Sequence, residues 1–239
     1  MIILFILDDL NNHAMRFLAC LLILFTNSLL AQKKETIKIT GADYPEFIAQ
    51  NQYKYPGYTR AKISLKNGEE ASARINYNNF FQTIKFINGT DTLEIANQDD
   101  INYIVIGMDS IFCDKGYYQW VASSAVARLA VRRTYKEGER SLVGAFGTSS
   151  PAKNIDTYTK LLLPDVATKD LSKNEDIMII KETTYYISLV NGKPGFIPVT
   201  KNNIMKLFPK KNTEEYMKTN KLNLDKEEDL IDLLAYLSK

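Results

Sequence analysis

The sequence predicts an α+β chain: mainly antiparallel β, as a hairpin-rich sheet or partly open barrel, with a C-terminal pair or trio of short helices. Three observations predict it. Apolar and polar residues alternate with period two through much of residues 58–199. Asn-Gly pairs at 67–68, 88–89 and 191–192 interrupt that alternation where tight hairpins need φ > 0. Beyond residue 200 the period becomes helical, with Leu230, Ile231, Leu233, Leu234 and Leu237 as one apolar face.

Taken in order, the chain opens on an export signal. Met15-Arg16 precedes the apolar run Phe17–Phe25, and Ala31 stands before the polar Gln32-Lys33-Lys34-Glu35. A positive start, a short apolar run and a small residue before charge describe a secretory signal peptide, here residues 1–31. The run is shorter than the ~20 apolar residues of a spanning helix, so no transmembrane segment is expected after its removal. Asp8 and Asp9 give residues 1–14 the wrong charge for a leader, which makes Met15 the expected initiator. Leu18-Ala19-Cys20 loosely matches a lipobox, but Cys20 lies inside the apolar run, so lipid anchoring there is not expected. The expected location is periplasmic or secreted.

Residues 32–57 form an aromatic lead-in with Tyr44, Phe47, Tyr53 and Tyr55, punctuated by Pro45 and Pro56. Its rings either cover a sheet edge or offer an arm for glycan stacking. The β-rich domain, 58–199, starts with Ala61, Ile63 and Leu65 alternating against charged and polar neighbours, and resumes after Asn67-Gly68 with Ala71, Ala73, Ile75 and Tyr77. Gln82–Ile87 and Thr92–Ile95 flank Asn88-Gly89, and Ile101–Ile106, apolar on both faces except Asn102, is the candidate central strand. Ser110–Cys113, Tyr117–Ala122 and Ala125–Tyr135 follow as strands, the last two around Ser123-Ser124. Residues 137–173, with Gly144, Gly147 and Ser149-Ser150-Pro151, read as a long loop with a short element near Tyr158–Leu163. Ile177–Ile180 and Tyr185–Val190 are strand-like, and Asn191-Gly192 turns the chain towards Phe196–Val199.

The tail, 200–239, is a helical unit packed on the β domain. Thr200 is placed to cap a helix that Pro209 ends, and Asn212 with Glu215 and Asp225 with Glu228 have capping-box spacing.

Composition narrows the chemistry. Thirty Lys+Arg against 28 Asp+Glu leave a net charge of +2, which gives no footprint for nucleic acid. The only histidine, His13, precedes the expected cleavage, and Cys113 is the only cysteine after it. Without His, triad hydrolysis and His-ligated metals are excluded, and a single thiol makes no internal disulfide. Glu69-Glu70 and Asp99-Asp100 sit in turn signals, and sequence pairs them with no second carboxylate across a cleft. No catalytic residue, cofactor or metal set is expected. Candidate ligand or partner residues are Tyr53, Tyr55 and Tyr58 with Arg128, Arg132 and Arg133, the last three from a basic stretch that runs to Arg140. As a bland alternative, that stretch is a solvated strand face.

Asp91-Thr92-Leu93 and Asp109-Ser110-Ile111 match the Asp-Ser/Thr-apolar pattern resembling the O-glycosylation motif of exported Bacteroidetes-type proteins, which makes Thr92 and Ser110 possible acceptors. Ile63-Ser64-Leu65-Lys66-Asn67-Gly68, Asn76-Tyr77-Asn78, Asp91-Thr92-Leu93, Tyr103-Ile104-Val105-Ile106-Gly107 and Lys206-Leu207-Phe208-Pro209 together resemble a family of signal-peptide-bearing exported proteins from Bacteroidetes-type bacteria. That resemblance implies export and brings no activity with it. The leading expectation is a non-enzymatic cell-envelope or secreted interaction protein whose partner is an envelope protein or glycan. The alternatives are a small-ligand or glycan-binding module and, after that, a carboxylate-based hydrolase.

Overall fold

The computed structural model describes residues 32–143, 149–151, 175–191, 195–209 and 211–239. The elements are β1 (Gln32–Thr40), α1 (Tyr44–Asn51), β2 (Thr59–Leu65), β3 (Glu70–Asn78), β4 (Thr83–Asn88), β5 (Asp91–Glu94) and β6 (Ile101–Ile106). After them come β7 (Asp109–Cys113), β8 (Tyr117–Ser123), β9 (Ala127–Val143), β10 (Ser149–Pro151), β11 (Glu175–Leu189) and β12 (Ile197–Pro198). The chain ends in α2 (Lys201–Leu207), α3 (Thr213–Thr219) and α4 (Glu227–Leu237).

The strands form one open antiparallel sheet in the order β1-β11-β9-β8-β7-β6-β2-β3-β4-β5, with β10 beside β9 and β12 beside β11. The expected hairpins are present. Gly68 and Gly89 carry φ of +91° and +63° in the two described Asn-Gly turns, where a Cβ would be strained. Strand β6 lies between β2 and β7 in the interior of the order, as its two-faced apolar run requires. The sheet curls strongly. Although four strands separate β3 from β9, the Tyr135 amide donates to the Asn79 carbonyl at 3.3 Å. Phe80 stacks on Tyr135 at the same place, with centroids 5.2 Å apart.

Inside the curl, Ile75, Ile104, Ile106 and Ile111 are buried with Cys113 and Tyr117. Burial pushes the Cys113 thiol up to about 12, so the residue behaves as a small core hydrophobe. A second core joins Leu129, Val131, Tyr185 and Ile187 to the helices through Ile204, Met217 and α4. Within α4, Leu230, Leu233, Leu234 and Leu237 are buried but Ile231 is 41% exposed. About 100° per residue carries Ile231 off the stripe on which the sequence placed it.

Four readings of the sequence change. The lead-in holds an edge strand and a helix, with Tyr44 buried against Ile177 and Ile179. Pro45 lies in the first turn of α1, where its missing N–H costs nothing, and so opens a helix rather than breaking structure. Strand β9 runs on through residues 137–143, where loop was expected, because its ladder with β11 continues to Leu142. Ile177–Ile180 and Tyr185–Leu189 belong to one strand, β11, and Val190 lies just past its end. Neither capping box closes on its helix: Asn212 is the N-cap residue of α3, but its side chain donates to the Glu215 carboxylate and makes no cap hydrogen bond, and Lys226 rather than Asp225 is the N-cap of α4. Thr200 does cap α2, its Oγ1 accepting from the Asn203 amide at 3.1 Å. The short element expected at Tyr158–Leu163, together with Gly144, Gly147 and Gly192, lies outside the described residues.

Candidate ligand-binding cavity

Register assembles the site. Residues paired directly across an antiparallel ladder share a face, and Ile111 pairs Gln119, Gln119 pairs Val131, and Tyr135 pairs Lys181. Period-two spacing then puts Asp109, Tyr117 and Arg133 on that same concave face. The segment after α1 crosses it and brings in Lys54. A cavity of about 350 Å³ results, lined by these residues with Tyr77, Asn79 and Arg132.

Its polar groups form one network. Gln119 Oε1 accepts from Lys54 Nζ at 2.6 Å and from Arg133 at 3.0 Å, while Gln119 Nε2 donates to Asp109 Oδ1 at 3.0 Å. Asp109 Oδ2 accepts from the Tyr55 hydroxyl at 2.8 Å and lies 3.1 Å from Lys54 Nζ. Burial opposes the Asp109 charge, but the hydrogen bonds from Tyr55 and Lys54 outweigh it and hold the carboxyl below its usual range. Burial lowers Lys54 despite the Asp109 charge beside it, and burial with the Asp109 hydrogen bond raises Tyr55. Burial also pushes Tyr77 up to about 12.

A second cavity of about 360 Å³ adjoins the first, and Arg133 and Lys181 line both. On its side Arg133 reaches Glu227 at 3.4 Å, and Lys181 lies 3.7 Å from Glu35.

Of the sequence candidates, Tyr55 and Arg133 enter the network and Arg132 borders the cavity. Arg132 and Arg128 alternate away from Arg133 along β9, and of those two only Arg132 still reaches the cavity's border, so the basic stretch is not one patch. Arg132 donates to Gln82, and Arg128 sits over the Phe112 ring at 5.7 Å. Lys136 and Arg140 are held by Glu182 and Glu137. Tyr53 and Tyr58 pair with each other, their hydroxyls 3.3 Å apart. Thr92 is exposed on β5, and Ser110 is half-buried in β7. Glu70 pairs with Lys62, and Asp99 and Asp100 are exposed.

The sequence reading missed Lys54, Asp109, Gln119 and Lys181. Each is an ordinary polar residue in its own strand or loop, and it takes the register of four strands, with the segment after α1 laid across their face, to bring them together. Among the described residues no group of three or more His, Cys, Asp or Glu could hold a metal ion, and no helix is long and apolar enough to cross a membrane. Comparison with protein-family models, with curated proteins and with solved structures finds no match to this chain.

Proposed function

We propose that this chain is a non-enzymatic, exported binding protein that takes a small polar ligand on the concave face of its curled sheet. One observation carries the reading: Lys54, Asp109, Gln119, Arg133 and Lys181 converge on a cavity of about 350 Å³, within the size range of small-molecule sites. Export is supported by the leader-like run before Gln32. Contact with an envelope protein has weaker support, since Met108 and Trp120 are exposed apolar side chains that, singly, are ordinary on any surface. Stacking of a glycan on aromatic faces is not favoured either. Tyr135 already stacks with Phe80 and has the Lys181 ammonium over its ring, and Tyr53 and Tyr58 are engaged with each other.

The test is amide NMR of the intact chain titrated with glucose, glucuronate and glycerol 3-phosphate. Saturable shifts centred on Asp109, Gln119, Arg133 and Lys181 are expected from at least one probe. Shifts that never saturate, or that scatter over the surface for all three, overturn the reading.

A further inference from the structure

We infer that Glu227 and Glu35 are built-in stand-in anions on the cavity's cations, and that the ligand is a small carboxylate or phosphate ester that replaces them. The inference rests on the ligand-binding reading above and names its ligand class. Arg133 and Lys181 belong to both cavities, so each cation is open to a ligand on one side and to an acidic side chain on the other. Both ion pairs are loose. Arg133 to Glu227 spans 3.4 Å and Lys181 to Glu35 spans 3.7 Å, whereas Lys38 holds Asp176 at 2.7 Å in the same molecule. Charge-assisted hydrogen bonds normally close to about 2.7–2.9 Å, so these contacts hold charge without consuming the donors' best geometry.

All four partners are also more than a third exposed, with 41% and 39% for the first pair and 35% and 58% for the second. Pairs of that kind are weak and readily exchanged. A ligand carboxylate or phosphate would instead take the Arg133 nitrogen that Glu227 now holds, the other terminal nitrogen staying on Gln119, with the Lys54 ammonium, paired to Asp109 at 3.1 Å, as a further cation beside it. Glu227 begins α4, whose buried leucines keep the helix docked, so release of the Glu227 side chain need not unseat the helix.

The experiment is calorimetric titration of the intact chain with two matched pairs, glucuronate against glucose and glycerol 3-phosphate against glycerol. The charged member of at least one pair is expected to bind at least about tenfold more tightly. Which pair does so separates a carboxylate from a phosphate ligand. E227Q and E35Q, both conservative and on the surface, are each expected to tighten anion binding by about two- to fivefold, since an exposed pair competes only weakly. R133Q is expected to lose about tenfold or more for the anion alone. Equal binding of charged and neutral partners overturns this inference while leaving the cavity a ligand site. Unchanged affinity in both E227Q and E35Q overturns the stand-in role. Binding by none of the four probes removes the ligand reading itself, and this inference with it.

Discussion

Asn76 holds Tyr55 at both ends of the residue: its Nδ2 donates to the Tyr55 carbonyl at 2.9 Å, and its Oδ1 accepts from the Tyr55 amide at 3.2 Å. The same side chain donates to the Gly57 carbonyl at 3.2 Å and accepts from the Tyr77 amide at 2.9 Å. At 1% exposure Asn76 has no water to fall back on, so its polar atoms are spent on fixing the segment that carries Lys54 and Tyr55. Asn76→Ala is expected to cost about 1–3 kcal/mol, because it strands buried backbone groups. Urea unfolding measures this. A loss below about 0.5 kcal/mol would mean the segment is held by something else.

Asp109 gives the site a pH dependence whose sign follows from its network. Its folded pKa lies below the ordinary 3.8, so the folded state binds fewer protons than the unfolded chain as pH falls. The stabilisation it contributes is therefore complete above 3.8 and is lost as pH drops through the lowered folded value. Asp109→Asn should unfold at lower urea than the parent at about pH 7, and the gap should narrow towards about pH 2.5. A gap of constant size at both pH values would remove the ionised carboxylate as its source.

Two neighbours in α4 separate packing from pattern. Leu233 is 2% exposed in the core shared with β9 and β11, whereas Ile231 is 41% exposed. Leu233→Ala is expected to cost about 2–5 kcal/mol, with the spread set by how far the site collapses. Ile231→Ala should stay within about 0.5 kcal/mol. Equal losses would show that the tail docks by another face.

What the sequence revealed was local, and what it concealed was register. The Asn67-Gly68 and Asn88-Gly89 turns, strand β6 and the Thr200 cap each depend on a few adjacent residues, so composition and spacing were enough to locate them. Helix α1 was hidden because Pro45 reads equally as a break and as a helix start. The cavity was hidden more deeply: Asp109, Gln119, Arg133 and Lys181 share a face only because four strands pair as they do. Arg132 and Arg133 were visible as cations, but as consecutive residues of a strand they must diverge. Strand alternation alone therefore divides the basic stretch between two faces.

Gly138 lies in the long β9–β11 ladder, within the 137–173 stretch that the sequence reading took for loop. A Cβ on Gly138 would lie 3.1 Å from Ile180 Cδ1 and 3.3 Å from the Met178 carbonyl oxygen, beside the register irregularity between Ile177 and Ile179. A methyl terminus can rotate away, but a backbone carbonyl within a paired strand moves only by disturbing the ladder. Two effects oppose each other in Gly138→Ala. The loss of glycine's backbone freedom favours the variant by about 0.5–1 kcal/mol, and overpacking opposes it by about 1–3 kcal/mol. Because one of the two contacts is backbone, overpacking should win, with a net loss of about 1 kcal/mol. Gly57 is the control: nothing lies within 4 Å of its Cβ position, so Gly57→Ala should be neutral or slightly stabilising. Urea midpoints of the two variants read the difference directly. If Gly138→Ala matches Gly57→Ala, the ladder is loose enough at Met178 to absorb a methyl group, and the close approach there is not what selects glycine.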